Sequence, residues 1–280
     1  MGNNTTPRCS CETCNNIGKY AYPIRRRGNG NAYLCEYHKT SLESYFRKNT
    51  FHLGTPKANG FTYSIELETM RPTFQARLEL CIASFLPTSD ATVDAEFKSP
   101  IYNGMNAVKA FLPSIQWLCD TEQITIDSNC GTHFHVGHKD YINERYMNYI
   151  RRFYHSLFVP LSNALVMNDS KATAIFGRGF STWNERITDN TPAGNHTNFI
   201  NTQHNDTLEF RRMFFRTAAQ YSRGCDFCRK ITDIVIKGFC VKVESLGLTS
   251  GQTLTIEQKA ELKKAADKTA EKLVKLFREF

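Results

Sequence analysis

The chain has no apolar run approaching the roughly 18 residues that a membrane-spanning helix requires, so no membrane partner is expected. Its opening stretch, Met1 to Arg8, is polar and lacks the apolar centre of a secretory signal. Neither G-x-x-x-x-G-K-S/T nor G-x-G-x-x-G occurs, which removes the two familiar glycine-rich phosphate cradles. No internal repeat stands out. What is present is ordinary globular composition, 41% hydrophobic and 22% charged over 280 residues, enough for one large domain and a small appendage. Ten cysteines without a secretory signal argue for metal binding and reduced thiols rather than a disulfide framework, and the expected compartment is the cytoplasm. The net charge of +8 points to anionic ligands, with a solvated basic surface as the bland alternative.

The cysteines cluster near the start. Cys11 and Cys14 form a CxxC knuckle, and Cys35 with His38 forms a CxxH knuckle beyond the basic turn Arg25-Arg26-Arg27-Gly28-Asn29-Gly30. Two ligands three apart grip one side of a tetrahedral zinc ion and a second pair closes the other, so this spacing predicts a structural Zn2+ site. Cys9 is the alternative to Cys11. A second CxxC, Cys225 and Cys228, has no matching pair and reads as buried thiols on a helix.

Periodicity orders the rest into a zinc-binding module over 1–50, a main domain over 58–250 and a C-terminal amphipathic helix over 251–280. Within the main domain it predicts strands at 61–68 and around 94–98, a helix over 73–84, and a helix over 103–119 that Pro113 kinks or restarts. Strands over 123–127 and 132–138, a long helix over 141–166 and a loop over 177–198 follow. A hairpin pattern, 199–202 and 207–213, surrounds His204-Asn205-Asp206, and 217–245 returns to helix. Thr255 and Gln258 form a capping-box pattern before Leu262, Ala266, Leu273, Leu276, Phe277 and Phe280.

Four segments then share one design: Ile65-Glu66-Leu67-Glu68, Asp94-Ala95-Glu96-Phe97-Lys98, His133-Phe134-His135-Val136 and Leu208-Glu209-Phe210-Arg211. On strands, whose side chains alternate faces, each segment puts its charged or imidazole groups on one side and its apolar residues on the other. A face this rich in carboxylates repels itself unless cations sit among them. Glu-x-Glu suits a hard divalent ion, and His-x-His on one face seldom belongs to plain surface; the alternative for either histidine is a hydrogen-bonded core residue.

These blocks resemble the amidoligase family, carboxylate–amine ligases of the glutamine synthetase and glutamate–cysteine ligase superfamily. The resemblance runs through Tyr63-Ser64-Ile65-Glu66-Leu67-Glu68, Ser89-Asp90 leading to Glu96-Phe97-Lys98-Ser99-Pro100, Cys130-Gly131-Thr132-His133-Phe134-His135-Val136-Gly137 and Thr207-Leu208-Glu209-Phe210-Arg211, over about residues 60–220. Two positions depart from the family's pattern: Ala91 and Ser64 stand where glycines are usual. The resemblance implies an α+β fold, a curved antiparallel sheet with helices packed on its outer face, around an ATP site served by Mg2+ or Mn2+. It also implies that Glu66, Glu68, Glu96, His135 and Glu209 hold the ions and that Arg211 contacts the transferring phosphate. Asn201 and Arg178 match weaker positions, Lys98 and Asp90 fall in the second block, and His133 is a supporting or substrate-touching residue.

The implied chemistry is ATP-dependent amide-bond formation through an acyl phosphate, because an amine left with a free acid merely takes its proton. A peptide, another protein or a cell-wall component are candidate substrates. Arg178 and Arg186 sit in the 177–198 loop, read either as a segment that closes over substrate or as an ordinary surface loop. The alternative is a metal-dependent hydrolase or nuclease using the same carboxylate and histidine face. Nucleic-acid binding as the whole function leaves that face unexplained and is not expected.

Overall fold

The alternation in the central segment builds the central strand. In the computed structural model, which describes residues 18, 20–26, 28–36, 60–73, 76, 77, 80, 85–88, 93–180 and 198–280, β3 (Phe61–Thr69) buries Tyr63, Ile65 and Leu67 on one face. It follows a separate antiparallel hairpin, β1 (Tyr20–Arg26) and β2 (Gly28–Leu34), whose register runs from Tyr20 opposite Leu34 to Arg26 opposite Gly28. The remaining strands, β4 (Leu86–Thr88), β5 (Ala95–Lys98), β6 (Thr132–His138), β7 (Ile200–Asn201) and β8 (Leu208–Phe210), join β3 in a sheet of order β4-β5-β3-β6-β8-β7. Every pairing in it is antiparallel, so the expected α+β class and antiparallel sheet hold.

The apolar face of the sheet carries Ile65, Leu67, Phe97, Phe134, Val136, Leu208 and Phe210, all buried in one continuous core with the helices. In α1 (Met105–Asp120) the buried residues are Val108, Phe111, Leu112, Ile115 and Leu118, the apolar set its spacing marks out. The helix continues through Pro113, whose ring faces solvent, so the expected restart does not occur.

Other expectations are corrected. The strand over 123–127 reduces to a bridge between Met70 and Thr125, with backbone bonds of 2.7 and 3.1 Å. Arg71 adopts a left-handed conformation (φ 47°) and donates its N–H to Asp94 Oδ2 at 2.8 Å, which turns the chain away before a ladder can extend. The long helix over 141–166 is two helices, α2 (Glu144–Arg152) and α3 (Tyr154–Met167), broken where Phe153 leaves helical geometry (φ −111°, ψ 19°). Asn143 caps α2 by accepting from the Arg145 N–H.

A further helix that periodicity does not mark, α4 (Asp169–Phe176), is capped by Asn168 and stopped by Gly177 in the left-handed region. A Cβ there would fall 2.3 Å from the Phe214 carbonyl oxygen, so glycine is required by space as well as by φ. The helix over 217–245 forms as α5 (Ala218–Val235), a π-helical segment (Ile236–Cys240) and α6 (Val241–Ser245). The π segment contains Gly238, against which Thr269 of the terminal helix closes.

That helix, α7 (Ile256–Glu279), forms the expected Thr255–Gln258 capping box and buries Leu262, Ala266, Leu273 and Phe277 in the same core as the sheet. Among the described residues no helix is long and apolar enough to cross a membrane. Cys9, Cys11, Cys14, His38, Asp90, Ala91 and Arg186 lie outside the described residues, as does most of the 177–198 loop. Cys35 is described, buried directly after β2.

Since Leu273 is fully buried, Leu273→Ala is expected to lower stability by about 2–5 kcal/mol in urea unfolding. Met167→Ala, at an exposed side chain, should change it by less than about 0.5 kcal/mol.

Candidate metal centre

Strand register assembles the polar face. Glu66 lies opposite Lys98 on one side and His133 on the other, Glu68 opposite Glu96, Ser64 opposite His135, and His135 opposite Glu209, which in turn faces Asn201. Directly paired side chains on one face are close enough to interact, so residues distant in the chain become neighbours.

His133 sits at the middle of this face. Its Nδ1 is 3.2 Å from Glu66 Oε2 and 3.3 Å from Glu209 Oε1, and its Nε2 is 3.6 Å from Glu68 Oε1. Burial opposes charging the ring, but bonding to Glu209 and Glu66 and the field of Glu68 outweigh it and push the imidazole up to about 9. The carboxyls respond in the opposite sense. Burial works against ionising Glu66, yet His133, His135 and Lys98 hold it well below the usual carboxylate range. Glu209, almost fully buried, is held low against its burial by His133, His204, His135 and Arg211.

The cations flank the acids. Lys98 Nζ lies 2.7 Å from Glu66 Oε1 and 3.7 Å from Glu96 Oε1, while Arg211 Nη1 is 3.2 Å from Glu209 Oε1. Asn201 donates from Nδ2 to Glu209 Oε2 at 2.9 Å. Arg178 stands apart from the carboxylates. Its Nη2 donates to the carbonyls of Ser128 (3.0 Å) and Cys130 (2.6 Å), and its guanidinium lies over the Phe214 ring. It thereby braces the turn that presents Gly131, whose N–H donates to Glu68 Oε2. A Cβ at Gly131 would lie 2.6 Å from His133 Nε2 and 3.1 Å from Glu68 Oε2, so any larger residue there would push against both side chains.

Glu66, His135 and Glu209 each offer a ligand atom, and these atoms all lie within 4.8 Å of one another. Glu68 and Glu96 sit one row along the sheet, committed to Gly131 and His133 and facing Lys98 respectively. The five acidic and imidazole groups expected to bind ions therefore divide into a tight trio and an adjoining pair. His135 Nε2 is 3.4 Å from Glu66 Oε1, and among the described residues this buried nitrogen has no hydrogen-bond partner. An orphaned buried donor or acceptor is costly, and a cation between the carboxylates and this nitrogen would relieve it.

Two further residues join the cluster without any spacing pattern that marks them. His204 Nε2 lies 3.5 Å from Glu209 Oε2 with its ring edge-on to His135, and Thr207 Oγ1 is 3.3 Å from His135 Nδ1. His204 occurs in a turn pattern with no strand periodicity, so nothing local marks it. Thr207 was visible only as the first residue of the Thr-x-Glu-Phe-Arg block. Cys225 and Cys228 lie fully buried in α5, away from this constellation, with thiols pushed well up by burial.

No family model and no curated protein matches the chain.

Two outcomes test this geometry. In metal-free protein at neutral pH, His133→Ala should cost about 3–5 kcal/mol in urea unfolding, because it strips the counter-charge from buried carboxylates. Gly131→Ala should weaken Mn2+ binding by about 10-fold or more in titrations followed by electron paramagnetic resonance, as it displaces His133 and Glu68.

Proposed function

We propose that the chain is an ATP-dependent carboxylate–amine ligase of the amidoligase family, with that family's glutamine-synthetase-like fold. The observation that carries the reading is the convergence of Glu66, His135 and Glu209 beside Arg211, from three strands that the sequence separates widely. The family-like blocks of the sequence supply the second support.

The donor set fits a divalent ion. One cation with ligand bonds of roughly 2.0–2.3 Å spans ligand pairs up to roughly 4–4.6 Å apart, so the trio, whose atoms lie within 4.8 Å of one another, closes on it with at most a small inward shift, and carboxylate-rich sites suit Mg2+ or Mn2+. Glu66, His135 and Glu209 would hold it, with Glu68 and Glu96 beside them, and its chemistry would be to offset phosphate charge during transfer. Asn201 and Thr207 orient Glu209 and His135 through their side-chain contacts.

The reaction needs in-line transfer of the ATP γ-phosphoryl group to a substrate carboxylate. A carboxylate oxygen bonds to phosphorus, the bond to the β-phosphate bridging oxygen breaks, and ADP leaves. The amine nitrogen then attacks the acyl carbon, loses a proton, and expels phosphate to leave the amide. In this reading Arg211, whose guanidinium already faces the acidic cluster, clamps phosphate oxygens, and Lys98 adds positive charge across the site. His133 keeps the ligand carboxylates ionised and close together. Arg178 supports the turn beneath Glu68. A structural Zn2+ held by Cys11 or Cys9 with Cys14, Cys35 and His38 completes the proposal for the N-terminal module. The buried position of Cys35 at the end of the hairpin supports it.

The test is ADP formation with Mg2+ across pools of carboxylates and amines, with products identified by mass spectrometry. Glu66→Gln, Glu209→Gln and Arg211→Gln should each lower turnover by about 10²-fold or more while the protein stays folded. Wild-type turnover in all three, or metal-dependent nicking of DNA or RNA without ATP, would overturn the ligase reading.

A further inference from the structure

The cluster leans on one short hairpin. Asn201 bonds Glu209 from its start, His204 faces Glu209 from its turn, and Thr207 reaches His135 from its far end. Within the hairpin, the Gln203 N–H donates to Asn201 Oδ1 at 2.9 Å, which leaves the Asn201 amide nitrogen aimed at Glu209. Three side chains from seven consecutive residues thus orient two of the three groups in the ligand trio.

That turn is polar and short, with β7 and β8 contributing only Ile200–Asn201 and Leu208–Phe210. A ladder this brief does not hold a turn rigidly. The turn is held instead by a side chain from a different element. Arg151, in the last turn of α2, donates from Nε to the Thr202 carbonyl at 2.6 Å. Its Nη2 donates to the carbonyls of Gln203 (3.0 Å) and His204 (2.9 Å) and to Asn205 Oδ1 (2.7 Å). Its Nη1 is steadied by Asn148 Oδ1 at 3.3 Å. A planar guanidinium presents several donors in a fixed fork, a geometry that the single ammonium of lysine cannot reproduce. The helix behind it is firmly seated: Tyr149 and Ile150 are fully buried, and the Tyr149 hydroxyl donates to the Thr249 carbonyl at 2.6 Å.

We propose that Arg151 is a positioning residue of the metal centre, clamping the 201–207 hairpin so that Asn201, His204 and Thr207 hold Glu209 and His135 in ligating geometry. Arg151 touches no ligand group itself. The inference rests on the reading of Glu66, His135 and Glu209 as a divalent-cation site, and it extends that site to a residue on a helix outside the sheet. Partners that orient metal ligands typically change affinity by about 10–100-fold when removed, and the clamp belongs to that class.

The experiment is Mn2+ titration of the full chain by electron paramagnetic resonance, with thermal unfolding of each variant in EDTA alongside. Arg151→Gln should weaken Mn2+ binding by about 10-fold or more, and Arg151→Lys should restore little of it. Arg152→Gln is the control. Its neighbouring guanidinium bonds the Gln252 carbonyl at 2.9 Å and serves the fold on the other side of the helix, so Mn2+ affinity should not move. Thr207→Val, which keeps shape and removes the hydroxyl facing His135, should weaken binding several-fold and reports on the same hairpin if Arg151→Gln fails to fold. The proposal is overturned if Arg151→Gln, or Thr207→Val in its place, binds Mn2+ like the parent while Glu66→Gln does not. It is also overturned if Arg152→Gln weakens binding as much as Arg151→Gln, since the effect is then a general loosening of α2. Unchanged binding in Glu66→Gln itself would instead remove the metal-site reading, and the clamp with it.

Discussion

Three carboxylates crowd around the His133 ring, Glu66 and Glu209 against Nδ1 and Glu68 near Nε2, inside a face that excludes most water. Like charges at such separations repel strongly once solvent screening is reduced, and each ionised carboxyl also loses hydration. An imidazolium among them offsets both costs, and the exchange is mutual: the acids raise the ring's basicity while the ring lowers theirs. Lys98 and Arg211 at the edges add the remaining positive charge. The polar face is therefore a set of interlocking opposite charges, four carboxylates against His133, Lys98 and Arg211, and it survives only if every strand keeps its register.

Register is set from the opposite side of the same strands. Ile65, Leu67, Phe97, Phe134, Val136, Leu208 and Phe210 pack into the helical layer, and a slip by one residue would carry them to solvent and bury the acids in the core. The hydrophobic face thus protects the geometry of the polar one. Tight backbone contacts refine it. Gly131 lets His133 and Glu68 approach the turn before β6, and Arg178 secures that turn through two carbonyl oxygens. On the other flank, the Arg151 bonds fix the hairpin leading into Glu209. Core packing, strand alternation and two bracing arginines all converge on a cluster that contains a buried, unsatisfied His135 nitrogen, which is the feature that makes a cation the natural complement.

Much of this was legible in the chain, and the parts that were not share a cause. Period-two alternation marks β3, β5, β6 and β8 and sorts Glu66, Glu68, Glu96, Lys98, His133, His135 and Glu209 onto one face, because side-chain direction on a strand is a local property. Period-3.6 spacing likewise identifies the buried edge of α1 and the capped start of α7. Breaks escaped notice where they depend on neighbours. Phe153 interrupts the helix over 141–166, and Arg71 ends the pairing that would have made 123–127 a strand; neither residue type announces such a role. His204 was invisible for a related reason. A turn histidine has no periodicity, and only the fold brings it to Glu209.

The sequence by itself determined the mixture of strands and helices, the two-faced strands and the inventory of acidic, imidazole and guanidinium groups, since these follow from residue spacing and residue type alone. Only the tertiary structure decided that Glu66, His135 and Glu209 form the tight trio while Glu68 and Glu96 stand one row away. It also decided that Arg178 and Arg151 brace the turns around that trio. Those outcomes depend on which strands pair and in what register, and that choice is made by burial of the whole apolar face at once, not by any local pattern.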